Sequence, residues 1–479
     1  MIEENEEVKR VNLKSHLSTT SLVVLGVSST IGSGIYIVIG VVAKEHAGAY
    51  VILCFVLAGI IAFSNSLAYS ELSCRYKGCG GIFTFMFKSW GVTQGFLVGW
   101  LSLHGTSLGV VFYSAQTFSS YINQILDQTK WIVTSNVTNT SNSGSFALLS
   151  STNSYSFNVP ATALIVLSSC ILISGTTNLF NVTKFTTVIS TLALLIFIIC
   201  GLQYGDVHNI VSFQSHSAMP IHISGILRGA AICYFAYTGF SAVCSSGEEA
   251  KDAKRSIPIA IIVVMIFVGL LYCGVTVSVL MLQPYRLFDT KAPLMAAVQY
   301  AHISRMRYVI LVGMTVGLIQ VNLSCLYQVS RLVFSMARDR LLPSVFAAVS
   351  GSNKTPMLAI IVSGLYSVVA CSVISFKTLI SFSTICIFVN STLANILIVW
   401  INCYTELIET TFLFQMIMVP YLPVFNMFIN IHMLVSMSDS IGFLYFIFLT
   451  LLGKLFIISK NGFPFLRKRI RAIHFFFEF

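Results

Sequence analysis

Charge is scarce in this chain. Of 479 residues, 28 are Lys or Arg and 17 are Asp or Glu, so only 9% are charged against 56% hydrophobic. That balance excludes a soluble multidomain enzyme and puts the chain in the membrane class. Catalytic signatures are also missing: there is no P-loop, no Ser/His/Asp pattern, no metal-spaced cluster and no ring-forming filter motif. An enzyme is therefore not expected, no cofactor or metal is called for, and a channel is disfavoured. The Ser/Thr/Asn-rich segment 119–159 holds no cysteine, so no disulfide-linked heavy chain is expected through it. The acidic start, Met1-Ile2-Glu3-Glu4, lacks the basic region and cleavage site of a signal peptide, which leaves the first span to target the chain. Nothing points to nucleic acid. The net charge of +11 reads as a basic surface facing anionic lipid.

What is abundant is apolar sequence. Windows of about 20 apolar residues, the length that crosses a bilayer, recur near 20–43, 49–70, 94–118, 160–175, 185–204, 225–245, 256–281, 308–334, 357–374, 379–400, 411–434 and 440–459. They predict an all-α polytopic membrane protein with about twelve spans. A cytoplasmic amino terminus puts most Lys and Arg on inner loops and makes 119–159 external. In that loop Asn136 and Asn139 head glycosylation acceptor patterns. Twelve cysteines, most of them inside spans, read as small packing residues.

Two spans are interrupted. The first carries Ser28-Ser29-Thr30-Ile31-Gly32-Ser33-Gly34-Ile35 and the second Phe235-Ala236-Tyr237-Thr238-Gly239-Phe240. An unwound backbone at membrane depth leaves amides and carbonyls without partners and is tolerated where it lines a cavity. Paired breaks in corresponding spans point to a secondary transporter. Amides around Gly32, Ser33 and Gly34, with hydroxyls from Thr30 and Ser33, suit a carboxylate. Carbonyls of 235–239 suit an ammonium group, with Tyr237 or Phe235 as a cover. Close packing through small residues is the competing reading of the glycines.

Three further features bear on the site. In the eighth span Gln320, Ser324 and Gln328 recur every four residues on one helix face, either lining a cavity or bonding neighbouring helices. Glu248 and Glu249, beside Lys251, Lys254 and Arg255, read as a charged latch, and Glu71 with Arg75 as a local helix pair. His104, deep in the third span, reads as a hydrogen-bonded structural histidine, with proton coupling as the competing reading.

The strings STIGSGIYIVIG, AYSELSCRY, FAYTGF with GEEAKDAKRSIP, and SRLVFSMARDRLLP with TPMLAIIVSG run in unbroken order between about residues 15 and 435. Together they resemble the cationic amino acid transporter branch, solute carrier family 7, of the amino acid–polyamine–organocation superfamily. The resemblance implies a 5+5 inverted-repeat (LeuT-like) core plus two C-terminal helices. Its boundaries would be a cytoplasmic segment 1–17, a first repeat 18–205, a second repeat 206–402, last helices 403–460 and a basic tail 461–479. It implies alternating access, with Gly32, Ser33 and Gly34 facing the substrate carboxylate and 235–239 facing the amine. Lys184 matches a lysine that replaces a sodium ion in similar transporters, implying sodium-independent carriage of L-amino acids, cationic ones first, at the plasma membrane or an intracellular one.

The chain departs from that pattern where a cationic side chain would be recognised. Aligning on Gly99-Trp100 puts Val92 where similar transporters carry a glutamate. A buried ammonium group needs carboxylates or many acceptors. Val92 as a selectivity position therefore favours a neutral or small amino acid. A non-transporting sensor or scaffold is the reading of a different class.

Overall fold

In the computed structural model, residues 13, 15–107, 109–112, 114–119, 121–122, 159–207, 209, 223–290, 292–349, 355–373, 376–404, 414–437, 446–447, 450–451 and 453–454 are described. They form α1 (Thr19–Thr30), α2 (Ser33–Val42), α3 (Val51–Arg75), α4 (Ile82–Trp90), α5 (Val92–Leu101), α6 (Val159–Ile173), α7 (Thr176–Tyr204), α8 (Ile223–Phe235), α9 (Phe240–Cys244), α10 (Ala253–Leu282), α11 (Pro293–Tyr300), α12 (Ser304–Arg338), α13 (Met357–Val373), α14 (Phe376–Tyr404) and α15 (Tyr421–Ser436). The β-pairing described is one isolated bridge, Leu17 to Ala250. Seven helical stretches are long and apolar enough to cross a bilayer, and three shorter apolar helices, Val159–Ile173, Met357–Val369 and Tyr421–Ser436, accompany them. Asn136, Asn139 and most of the window 440–459 lie outside the described residues.

The burial pattern identifies the solvent. Along α7, Phe185, Val188, Leu192, Leu195 and Ile199 are exposed at spacings of three and four, while Thr183, Thr187 and Ser190 face inward. A water-soluble helix shows the reverse. Small and hydroxylated residues at helix contacts with an apolar outer stripe are what lipid selects. Gly175, with φ of 122°, provides the turn between α6 and α7, a backbone conformation that costs a side-chain-bearing residue dearly.

The broken helices sit at the centre. α1 packs against α10, α7, α12 and α9; α3 packs against α10 and α8; α7 packs along α12 and α6 along α13. α15 is fastened by amides rather than by apolar contact alone. Asn65 of α3 donates to Asn430 at 2.9 Å and to Tyr234 Oη at 3.1 Å, Asn395 donates to Asn65 at 2.8 Å, and Asn426 donates to Asn395 at 3.2 Å. Such bonds hold lipid-exposed helices that have no hydrophobic reason to associate.

Candidate functional site

The site is built where the two breaks touch. α1 ends when Ile31 adopts an extended backbone, and α2 restarts at Ser33 with Gly32 as a cap that makes no side-chain bond. The amides of this first turn point outward from a helix amino terminus. A methyl group on Gly34 would lie 2.5 Å from Ala236 Cβ and 2.7 Å from Ala236 Cα, and one on Gly239 would lie 2.1 Å from Thr30 Oγ1. Both glycines are thus required by close approach of one broken helix to the other. Gly32 is filled in similarly by Val321, 2.2 Å from the position of an added Cβ.

The carbonyls freed by the breaks are largely satisfied from within. Tyr272 of α10 donates its hydroxyl to Thr30 O at 2.7 Å and also lies 3.3 Å from Ala236 O, so one phenol serves both breaks. Gln320 donates to Ile31 O at 2.9 Å, and Ser29 donates to Gly239 O at 2.8 Å. Thr30 gives its hydroxyl to Gly26 O and Thr238 gives its hydroxyl to Phe235 O. The breaks therefore persist without exposing most of the backbone whose unpaired state would cost several kcal/mol per group, roughly. Tyr237, the expected cover, is buried, donates to Phe55 O at 3.1 Å, and packs edgewise on Phe55 and tilted against Tyr272. Phe235 is buried as well. The side chain of Ser33 lies outside the described residues.

The polar stripe of α12 does both things its spacing allowed. Gln320 reaches the first break, and Ser324 Oγ lies 2.7 Å from Ser28 Oγ of α1. Gln328 donates to Ser241 Oγ of α9 at 3.0 Å and also lines a chamber. That chamber runs from Thr238 and Ser241 past Gln328 to Ser102, Asn390 and Ser391. Ser102 comes to it from a π-helical turn, Ser102–Ser107, that widens the helix after α5. No acidic or basic residue lines it among the described residues.

Val92 stands elsewhere. It packs with Phe83, Phe96, Leu332 and Met336 in an apolar cluster and is not part of the chamber wall. Lys184 is exposed on α7, and the buried polar group that α7 offers beside the first break is Ser190, 3.5 Å from Gln320 Nε2. His104 bonds the carbonyl of Trp100 at 2.9 Å and packs on the Trp100 ring.

Beyond the second break the chain is locked. Arg331 Nε donates to Glu249 Oε1 at 2.7 Å, and Arg338 makes two bonds to Glu248 at 2.7 and 2.9 Å. The latch expected from Glu248 and Glu249 therefore forms, but with arginines of α12 rather than with the neighbouring Lys251, Lys254 and Arg255. Chain before α1 seals it: the amides of His16 and Leu17 both donate to Glu249 O at 2.8 Å, and Lys251 N donates to Leu17 O at 3.0 Å. Glu71 pairs with Arg75 one turn on, and its second oxygen accepts the amide of Met416 at 2.8 Å. Sequence reasoning missed Tyr272, Ser102 and Asn390, which sit in ordinary apolar runs. It also missed the arginine partners, which are 82 and 90 residues away.

Residues 17–466 match a family model described as amino acid permease. The chain is 30% identical over 350 residues to a methylthioribose transporter of Bacillus subtilis, covering 73% of this chain and 72% of that protein. It is 27% identical over 386 residues to cationic amino acid transporter 4 of Homo sapiens, covering 79% of this chain and 58% of that protein. A vacuolar cationic amino acid transporter 2 of Arabidopsis thaliana is 26% identical over 372 residues, covering 75% and 56%. The chain thus spans a little over half the length of these animal and plant relatives.

Proposed function

The chain belongs to the amino acid permease family of the amino acid–polyamine–organocation superfamily, and on that premise we propose that it is a secondary carrier of L-amino acids working by alternating access. The observation that carries this reading is the contact of two half-helix breaks, Gly34 on Ala236 and Gly239 on Thr30, beside a chamber walled by uncharged polar side chains. The uncapped first turn of α2 is the place for the substrate carboxylate. The second break presents Thr238 and Ser241 to the rest of the solute. Pairing of α3 with α10, and of α6 with α13, is what two inverted five-helix repeats, 18–205 and 206–402, would give. The ion pairs of Arg331 and Arg338 then form an inner latch that must part for release.

The relatives' names offer a cationic amino acid or a neutral sugar thioether as cargo. Arginine, lysine and ornithine are the first reading that the resemblance supplies. The uncharged chamber favours the second, a neutral amino acid. Sodium independence rests on the resemblance alone, since Lys184 is exposed. Saturable uptake of labelled arginine or leucine above controls, in sodium-free medium, by cells expressing this chain at a confirmed membrane location supports the carrier. Binding without uptake would instead support a sensor.

A further inference from the structure

Resting on the carrier reading, we infer that the chamber beside the second break receives a neutral, hydrogen-bonding group of the solute, a hydroxyl or a carboxamide, and rejects a cationic one. Its polar wall includes Ser102, Thr238, Ser241, Gln328, Asn390 and Ser391. All six are uncharged, and they come from four separate parts of the fold: the π-helical turn, the second break with α9, α12 and α14.

The carboxylates that would neutralise a cation are already used. Glu249 is 1% exposed and bonded to Arg331, Glu248 is held by both Arg338 amino groups, and Glu71 is shared between Arg75 and the Met416 amide. An ammonium or guanidinium placed against hydroxyls and amides alone would give up its hydration for too few acceptors and no opposite charge.

One atom asks for a donor. Asn390 is 2% exposed and gives its Nδ2 hydrogen to Ser102 Oγ at 3.0 Å, but its Oδ1 is buried without a partner. A buried acceptor left open costs free energy unless a ligand completes it. A neutral O–H or N–H donor does so without bringing a charge. Gln328 and Ser241, bonded to each other at 3.0 Å, supply an adjacent donor–acceptor pair for the other side of such a group. The remaining wall, with Tyr69, Phe240 and Leu332, accommodates its methylene carbons.

The test uses the full chain in two measurements: melting in detergent with glutamine, serine, leucine or arginine, and counterflow of the same labelled solutes in proteoliposomes. Glutamine or serine raising the melting temperature and exchanging, with arginine doing neither, is the expected result. In Asn390→Leu the preference for glutamine over leucine should fall about tenfold, the worth of one good hydrogen bond to a buried acceptor. Gln328→Glu, which adds a carboxylate at constant shape, should let arginine compete. Arginine transported by the unmodified chain at least as well as glutamine would overturn the chamber assignment and leave the carrier standing. Glutamine that binds but does not exchange would uphold the chamber and overturn the carrier. No melting shift and no exchange with any of the four would overturn both.

Discussion

Arg331 is fully buried, with Nε 2.7 Å from Glu249 Oε1 and its guanidinium carbon 4.3 Å above the centre of the Tyr327 ring. α12 has 35 residues, or about 50 Å at 1.5 Å per residue. That exceeds a hydrocarbon core of about 30 Å, so its last turns, with Arg331 and Arg338, have length to spare beyond the lipid. There they hold the loop that follows the second break.

Removing one member of this pair should cost more than removing both. Arg331→Met leaves Glu249 buried and uncompensated, a loss of about 3–5 kcal/mol, whereas Arg331→Met with Glu249→Leu should recover most of it. Melting of the single and double variants in detergent gives the comparison. Equal loss in single and double variants would show that the pair is not coupled.

Gly34→Ala should impair transport severely, because its Cβ would lie 2.5 Å from Ala236 Cβ and 2.7 Å from the Ala236 backbone. Gly269→Ala in α10 is the control, since nothing lies within 4 Å of its added Cβ. Uptake should fall about tenfold or more in the first and stay level in the second. Full uptake by Gly34→Ala would mean that the breaks do not touch as described.

Tyr272→Phe removes one hydroxyl but strips a donor from both breaks. The carbonyl of Thr30 loses its 2.7 Å bond and that of Ala236 its 3.3 Å bond. A loss of about 1–3 kcal/mol in stability is expected for the buried acceptors left open. Unchanged melting would remove Tyr272 from the support of the breaks.

Cys79, in the turn before α4, is fully buried beside Leu13 and Phe334. Burial, the largest cause, pushes its thiol well above the ordinary cysteine range. The reactive thiolate is therefore scarce at neutral pH, and alkylation should be slow and should rise with pH. Arg338→Gln removes a cation that favours the thiolate and leaves Glu248 to oppose it, so faster alkylation of that variant at constant pH reports opening of the latch and not charge. Rapid alkylation of the unmodified chain at neutral pH would contradict the packing around Cys79.

Much of this was legible in residue order. The apolar runs, the positions of Gly34 and Gly239 and the four-residue spacing of Gln320, Ser324 and Gln328 each report a local rule, and each reappears in the fold. The partners did not follow from local rules. Arg331 lies 82 residues beyond Glu249, and nothing in the intervening sequence favours it over the nearer Lys251 or Arg255. Val92 was singled out by alignment to a motif, yet its helix turns it into an apolar cluster. A π-helical turn then brings Ser102 to the chamber instead. Tyr272 carries no motif, because its role depends on two carbonyls, Thr30 O and Ala236 O, brought together by two broken helices far apart in the chain.

The most direct test of the carrier reading is trans-stimulation in proteoliposomes holding the purified chain. Preloading with an unlabelled neutral amino acid should raise the initial entry rate of the labelled one, saturably, and Gly34→Ala should remove the effect. Saturable binding with entry no faster than in protein-free vesicles, preloaded or empty, would contradict alternating access.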